Sequence, residues 1–577
     1  MFKKELTQLI SKLKFDNFNQ EDSIKLIYMF KVWKVLSQNR ITNQKNIFFD
    51  KEKMDDFSVD EVKRIFYQLE SKFDVFKLFN SSINLEKLSN ESLILIIQIV
   101  SSPIKFFKLY DVLLDFLGDK GYIIPSEIAH LAVRLLNTNY IELYAPFKES
   151  YQIAYHTDKK VFSESYEDKL IIEIIKILDN LDIVYDKTDV LENPTYVENS
   201  KLREFDCTVS FPPFAFKHKS EIFRHDSYSR FKVYQGKGFL DVAYFEHILA
   251  TTKRKAVVLM ASGFTFRGGV EEKFRQYLIE NNYLEAVVEL PSNILNGTGI
   301  LSAFFIINKE KYNNNVYFLD LKDKQFIVKK GRKYIFNNID DIIDIYKDYQ
   351  EIENISSVIT SNKIAENNYS LSVSRYIFSK QDLEIQNMLN SYENKSLQEL
   401  ASIMKSPVLK NEKDGKPIYE ITPSDFKSFG FILECGKIKY TKQSNINTLF
   451  PNDILISMKG TVGKIAIVGK IQAKMIASPN IQIIRIEKKD IIEPKVLYMF
   501  LKSSIGQSVL KKLTTGTTMP QISTKEIKAL EIPILNNTKQ LEIIENFDRE
   551  INLFQEIESI NQKIHEINNN FLGDYVE

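Results

Sequence analysis

The sequence predicts an α/β protein in four parts. These are a helical N-terminal domain over 1–104, an α/β sheet domain over 105–385, a β-rich domain over 386–536 and a coiled-coil-like C-terminal helix over 537–577. Three observations carry this reading. At 577 residues the chain is too long for one hydrophobic core, and ordinary domain sizes divide it into roughly three or four. The apolar spacing shifts from three and four residues, to strand-length runs between helical stretches, to short β runs separated by Gly, Pro and Asn turns. The tail then returns to three- and four-residue spacing on a polar background.

Each part rests on its own pattern. In the first, Leu6, Ile10 and Leu13, then Ile24, Leu26, Ile27, Phe30 and Trp33, mark amphipathic helices, a packing domain without chemistry of its own. In the second, strands are predicted at Val257–Met260, Glu285–Glu289, Ala303–Ile307 and Val316–Leu321, with a helix at Glu271–Asn281 between the first two. In the third, Asp453–Ser457, Lys464–Val468 and Ile481–Ile486 read as strands. In the tail, Ile544, Phe547, Ile551, Phe554, Ile560, Ile564 and Ile567 form a narrow apolar stripe suited to a helical partner.

The composition excludes several classes. With 44% hydrophobic and 27% charged residues the chain is globular rather than disordered. A net charge of +1 gives no global field for nucleic acid, which leaves local Lys/Arg faces to supply phosphate contacts. Cys207 and Cys435, far apart, make neither a disulfide framework nor a zinc site, and a reducing cytoplasm is expected. No apolar run is long enough for a membrane span, so no membrane association is expected. The six histidines lack metal-ligand spacing, and no metal is expected. Gly463 and Gly469-Lys470 come near a phosphate loop, but the spacing is one too long and Ile471 cannot ligate magnesium. Cleavage of DNA would therefore require a nuclease or ATPase partner.

One segment speaks to chemistry. Phe205-Asp206-Cys207-Thr208-Val209-Ser210 reads as a buried strand that runs into Phe211-Pro212-Pro213-Phe214. It resembles the active-site strand of adenine-N6 DNA methyltransferases, in which Asn precedes the two prolines. The resemblance implies that this Asn and a proline carbonyl accept hydrogen bonds from the adenine amino group while the aromatic stacks on the flipped base. Phe211 has no acceptor. Ser210 lies one residue early, which in an extended strand turns its side chain to the other face.

The stretch from about 105 to 377 resembles the methylase subunit of type I restriction-modification systems. The residues that carry this are Lys255 to Gly269, Glu285 to Pro291, Gly297-Thr298-Gly299-Ile300, Asn368-Tyr369-Ser370-Leu371 and Arg375-Tyr376. A Rossmann-like methyltransferase fold is the implied architecture. In that family an acidic residue, a proline and closely spaced glycines follow the first strand and admit S-adenosylmethionine. Here Pro146 keeps the proline, Ala145 replaces the acid, and Glu149 and Tyr151 replace glycines. By the same resemblance Glu164 would hold the ribose and Asp189 would lie near the adenine ring. With both motifs altered, the expectation is a catalytically silent fold without cofactor; the alternative is an active S-adenosylmethionine-dependent methyltransferase with an unusual pocket.

From about 395 to 535 the chain resembles the target-recognition domain of a type I specificity subunit. Four ordered pieces carry this: Gly415 to Pro423, Asp453 to Lys464, Ala477-Ser478-Pro479-Asn480 and Thr514 to Ser523. The resemblance implies sequence-specific binding of double-stranded DNA. Lys439, Lys442, Lys459 and Lys464 are the candidate phosphate contacts, and Thr517, Thr518 and Gln521 the candidate loop donors. With one such module, a homodimer through the final helix would present two half-sites. The combined expectation is a DNA-recognition protein of a restriction-modification or related anti-phage system.

Overall fold

The computed structural model describes residues 2–38, 58–101, 124–166, 169–217, 221–331, 333–409, 412, 414–426, 430–432, 437–443, 446–471, 473–514 and 520–569. The chain forms two compact units, Met1–Val373 and Ser374–Glu577.

The first unit is organised around one nine-stranded sheet. Its strands are β1 (Glu142–Tyr144), β2 (Lys160–Ser165), β3 (Ile183–Lys187), β4 (Phe205–Ser210), β5 (Thr252–Ala261), β6 (Leu284–Glu289), β7 (Ser302–Asn308), β8 (Asn315–Asp320) and β9 (Ser356–Thr360). They lie in the order β9-β8-β6-β7-β5-β4-β1-β2-β3. Pairing is parallel from β3 through β5 and between β6 and β8, whereas β7 runs antiparallel to β5 and β6, and β9 antiparallel to β8. The middle of β5 and all of β6 are buried on both faces, which explains their unbroken apolar runs. All four strands and the helix predicted in this part are present, and the fold is mixed α/β around a mainly parallel sheet.

Before the sheet come α1 (Phe2–Phe15), α2 (Gln20–Gln38), α3 (Val59–Glu70), α4 (Asp74–Ser82) and α5 (Asn90–Ser101). The pattern predicted amphipathic helices, but α2 differs. Leu26, Tyr28, Met29, Phe30 and Val32 are all fully buried, so this helix is enclosed on every side. Phe66 of α3 packs against Phe30, Trp33, Phe76 and Phe79 with ring centroids 5.1–5.7 Å apart. One continuous apolar core runs from Leu6 to Ile355, so these helices and the sheet share it. Further helices include α6 (Ser126–Leu135), α7 (Ser150–Tyr155), α8 (Lys169–Asp179), α9 (Asp241–Thr251) and α10 (Val270–Glu280).

Among the described residues the second unit holds a two-stranded pairing of Asn394–Ser396 with Glu531–Pro533 and two larger sheets. Strands β10 (Ala401–Met404), β12 (Phe431–Ile432), β14 (Ile454–Ser457), β15 (Ile465–Val468) and β17 (Ile481–Ile486) form one, ordered β10-β17-β14-β15-β12. Strands β11 (Lys416–Ile421), β13 (Lys437–Thr441) and β16 (Met475–Ala477) form the other, ordered β13-β11-β16. The three strands predicted here match β14, β15 and β17. Helices α11 (Pro494–Lys502) and α12 (Ser504–Leu513) follow, and the chain continues into α13 (Asn537–Asn569). Phe547 of α13 enters the core, edge-on to Tyr498 at 5.6 Å. Beyond it Ile557, Ile560, Ile564 and Ile567 are exposed. No helix among the described residues is long and apolar enough to cross a membrane.

Candidate functional site

In an open α/β sheet, ligands bind beyond the carboxyl ends of the strands where the strand order reverses. Here that point lies between β1 and β4. It brings together the two segments the sequence singled out. Phe147 pairs with Phe211 in a parallel bridge, and the Ser210 hydroxyl donates to the Pro146 carbonyl at 3.3 Å. Ser210 is thus committed to the β1 loop. Phe211 is 0% exposed, Phe214 is buried and Pro213 half-buried. The side chain at the position of the expected Asn is part of the core.

The loop after β1 retains a glycine-like shape without glycine. Phe147 has φ 79° and Glu149 φ 57°, values that L residues with a Cβ seldom adopt. Backbone pairing holds the turn, with Ala145 N–H donating to the Phe162 carbonyl and Phe147 N–H to the Glu164 carbonyl. Glu149 is buried beneath the Tyr151 hydroxyl at 2.6 Å and the Gln152 amide at 3.2 Å. Burial pushes the Glu149 carboxyl up. The Phe147 ring packs edge-on against Tyr244 at 4.8 Å.

Behind this loop runs a directed chain of buried hydrogen bonds. The Arg230 guanidinium, which only donates, faces His247 Nδ1 at 3.1 Å. His247 is therefore neutral with its proton on Nε2, and burial followed by Arg230 pushes its imidazole well down. Its Nε2–H donates to the Tyr144 oxygen at 3.0 Å, and the Tyr144 hydroxyl donates to Glu164 Oε2 at 2.6 Å. The Thr195 backbone N–H and hydroxyl hold Glu164 Oε1. Glu164 stands near the end of β2, 1% exposed with both oxygens engaged. Asp189 is half-buried and accepts from the Leu191 N–H at 3.0 Å, capping its own turn. Sequence reasoning did not find Tyr144, Arg230 or His247, since no local spacing links them.

The segment after Phe214 is clamped by the start of α9. Ala215 N–H donates to the Asp241 carboxylate at 3.2 Å, and Leu240 N–H donates to the Phe216 carbonyl at 2.8 Å. Near Asp241 lies Glu271, 3% exposed, with one oxygen 3.2 Å from Arg267 Nε and the other without a hydrogen-bond partner. Burial, opposed by Arg267 and reinforced by Asp241, pushes the Glu271 carboxyl up to about 7. A raised carboxyl favours the native state in its protonated form. That contribution is complete below the ordinary carboxylate range and is lost as pH rises through about 7. Glu271→Gln is expected to remove a loss on the order of 2 kcal/mol between pH 5 and 8. Urea titrations of both proteins across that range check this; parallel curves would contradict it.

The second unit gathers the four recognition pieces around β14. Met458 donates its N–H to the Asn480 carbonyl at 2.7 Å and accepts from the Ile522 N–H at 3.1 Å. Ser478 N–H donates to the Ile421 carbonyl at 2.8 Å, which joins the first piece to the third. Lys459 pairs with Gln521 in an antiparallel bridge, so two candidate residues far apart in sequence are neighbours. Gly460 (φ 76°) and Gly463 (φ 80°) form the turn between Lys459 and Lys464, where a Cβ would be strained. Both lysines are exposed, and neither forms an ion pair among the described residues.

The other two candidate lysines lie elsewhere. Lys439 on β13 is paired with Glu420 at 2.7 Å, and Lys442 lies 3.8 Å from Asp414. Thr517 and Thr518 fall outside the described residues. Lys405, just past β10, was not singled out from sequence. Burial and the charge of Lys459 push its amine down, which adds a third cation to the Lys459 spot. Among the described residues no group of three or more His, Cys, Asp or Glu is placed to hold a metal ion.

Comparison with known proteins follows the same division. The family model described as N-6 DNA methylase matches residues 174–384, and that of the type I restriction modification DNA specificity domain matches residues 390–569. The chain joins an N-6 DNA methylase domain to a type I DNA specificity domain. The methylase match includes Phe211–Phe214 and Asp189, while Pro146 and Glu164 precede it. The MjaVII type I restriction enzyme methylase subunit of Methanocaldococcus jannaschii is 27% identical over 244 residues, 38% of this chain and 42% of the relative. The MpnII methylase subunit of Mycoplasma pneumoniae is 26% identical over 196 residues, 33% of this chain and 36% of the relative. The chain thus aligns with less than half the length of these relatives. A type I restriction-modification methyltransferase subunit from Streptococcus thermophilus shares the fold of the methylase domain. Its TM-score is 0.55 at 18% identity, over 65% of this chain and 99% of that one.

Proposed function

We propose that this chain is the DNA-recognition component of a restriction-modification or related anti-phage system, and that its methylase domain has lost methyl transfer. The observation that carries it is Phe211, fully buried and without an acceptor at the position of the amine-binding Asn. The cofactor loop supports the same reading. Glu149, Tyr151 and the Phe147 ring occupy the turn where the resemblance calls for glycines, and Glu164 is engaged by Tyr144 and Thr195. These residues do not suit S-adenosylmethionine. The specificity domain supplies DNA binding through the Lys459–Lys464 turn and Gln521. The exposed isoleucines of α13 suit a second copy of the helix, and a homodimer would recognise a symmetric split site. Sedimentation analysis is expected to give twice the monomer mass, and a monomer at micromolar concentration would count against the dimer. Cleavage would belong to a nuclease or ATPase partner.

The second reading is an active adenine-N6 methyltransferase, and it is favoured by the names of the relatives, which are methylase subunits. Calorimetric titration with S-adenosylmethionine, with and without DNA, separates the two. No binding heat is expected in either condition, and no N6-methyladenine in DNA from cells that carry this gene alone. Micromolar binding with methylated adenine would establish the second reading instead.

A further inference from the structure

At the opposite edge of the sheet, where β6 and β8 begin, a cavity of about 210 Å³ opens to solvent. Rings of Tyr312, Tyr317 and Tyr349 wall it, and Lys311 reaches into it beside Glu285. Glu285 is already engaged by Lys255 at 2.9 Å, by the Tyr346 hydroxyl and by the Asn308 amide. Lys311 is placed differently from an ordinary surface lysine. Its Nζ donates to the Leu284 carbonyl at 2.8 Å and to Asn282 Oδ1 at 3.1 Å, and it forms no ion pair among the described residues. Two neutral acceptors satisfy the two N–H groups of an uncharged amine and leave its lone pair without a hydrogen-bond partner among the described residues. Burial, partly offset by Glu285, pushes this amine down to about 8.

We propose that Lys311 is a covalent modification site, an amine nucleophile that small acyl phosphates reach through the tyrosine-walled cavity. The Lys311 lone pair attacks the carbonyl carbon and a C–N bond forms. The bond from that carbon to the phosphate oxygen breaks, and phosphate leaves with the electron pair. The surplus amine proton passes to the departing phosphate, so the products are an amide and inorganic phosphate. With Lys311 uncharged, the Lys255 and Glu285 charges balance, so the reactive form meets a small anionic donor without net repulsion. Lys309 is the internal control. Its Nζ also donates to two carbonyls, those of Leu249 and Thr252, and burial also lowers it, but it does not line this cavity.

The test is to incubate the full chain with acetyl phosphate at pH 7.5 and follow each lysine by peptide mass spectrometry. Lys311 is expected to react at least about tenfold faster than exposed Lys347, with a rate that levels off near pH 8. Lys309 is expected to lag behind Lys311. Val358→Phe, which fills the cavity, is expected to slow Lys311 and leave Lys347 unchanged. A Lys311 rate equal to that of Lys347, or a Lys309 rate equal to that of Lys311, would overturn the assignment whatever the variant does.

Discussion

Replacement of Lys459 and Lys464 by alanine is expected to weaken DNA binding on the order of tenfold per lysine at moderate salt. It should also lower the slope of log K against log salt by about two. Both side chains flank the glycine turn after β14, exposed and without ion pairs among the described residues. A cation in that state releases its counterion on meeting phosphate without first breaking an internal pair. Lys439 supplies the contrast, because its pairing with Glu420 must be given up first. Lys439→Ala is expected to change affinity by less than the Lys459 or Lys464 substitutions. Salt-dependent titration of the full chain against random-sequence duplex DNA measures all of these. An unchanged slope in the double variant would place the DNA on another surface.

The second large effect belongs to Arg230. Its guanidinium holds Asp226 at 2.8 Å, the Val190 carbonyl at 2.7 Å, the Leu191 carbonyl at 2.6 Å and His247 Nδ1 at 3.1 Å. Both side chains of the Arg230–Asp226 pair are almost entirely buried. Arg230→Met keeps the packing volume but leaves the Asp226 charge, two carbonyls and His247 Nδ1 without their donor. Breaking a buried pair from one side costs about 3–5 kcal/mol, because the surviving charge stays uncompensated. The expected result is a midpoint of chemical denaturation lowered accordingly. Arg230→Lys should recover only part of it, since a point charge cannot replace a planar fork. A loss under about 1 kcal/mol would mean that this region rests on apolar packing alone.

What the sequence disclosed and what it withheld divide along a physical line. Strands β5 to β8 and β14, β15 and β17 were legible because each carries its own apolar run between turn residues, a signal contained within the strand. The enclosed helix α2 was read as amphipathic, since spacing registers which positions are apolar but not how many neighbours surround them. Phe211 was legible as a missing acceptor, and its burial agrees with pocket filling. The chain from Arg230 through His247 and Tyr144 to Glu164 was not, because four segments contribute one residue each. Lys405 was missed for the same reason: only the pairing of β10, β17 and β14 brings it near Lys459.

The left-handed turn at Phe147 and Glu149 bears on how such a protein drifts. Its shape is imposed by pairing with β2 and by the Phe147–Phe211 bridge, not by the residues that occupy it. A turn held by its neighbours accommodates residues with a Cβ at a cost of roughly 1–2 kcal/mol per strained residue, and so leaves the sheet intact. Smaller residues placed here would meet a backbone that the flanking strands already hold in the left-handed region. Variation of side chains in this turn is therefore decoupled from the backbone that carries them, and a library confined to Phe147, Glu149 and Tyr151 can reshape the loop without refolding the sheet.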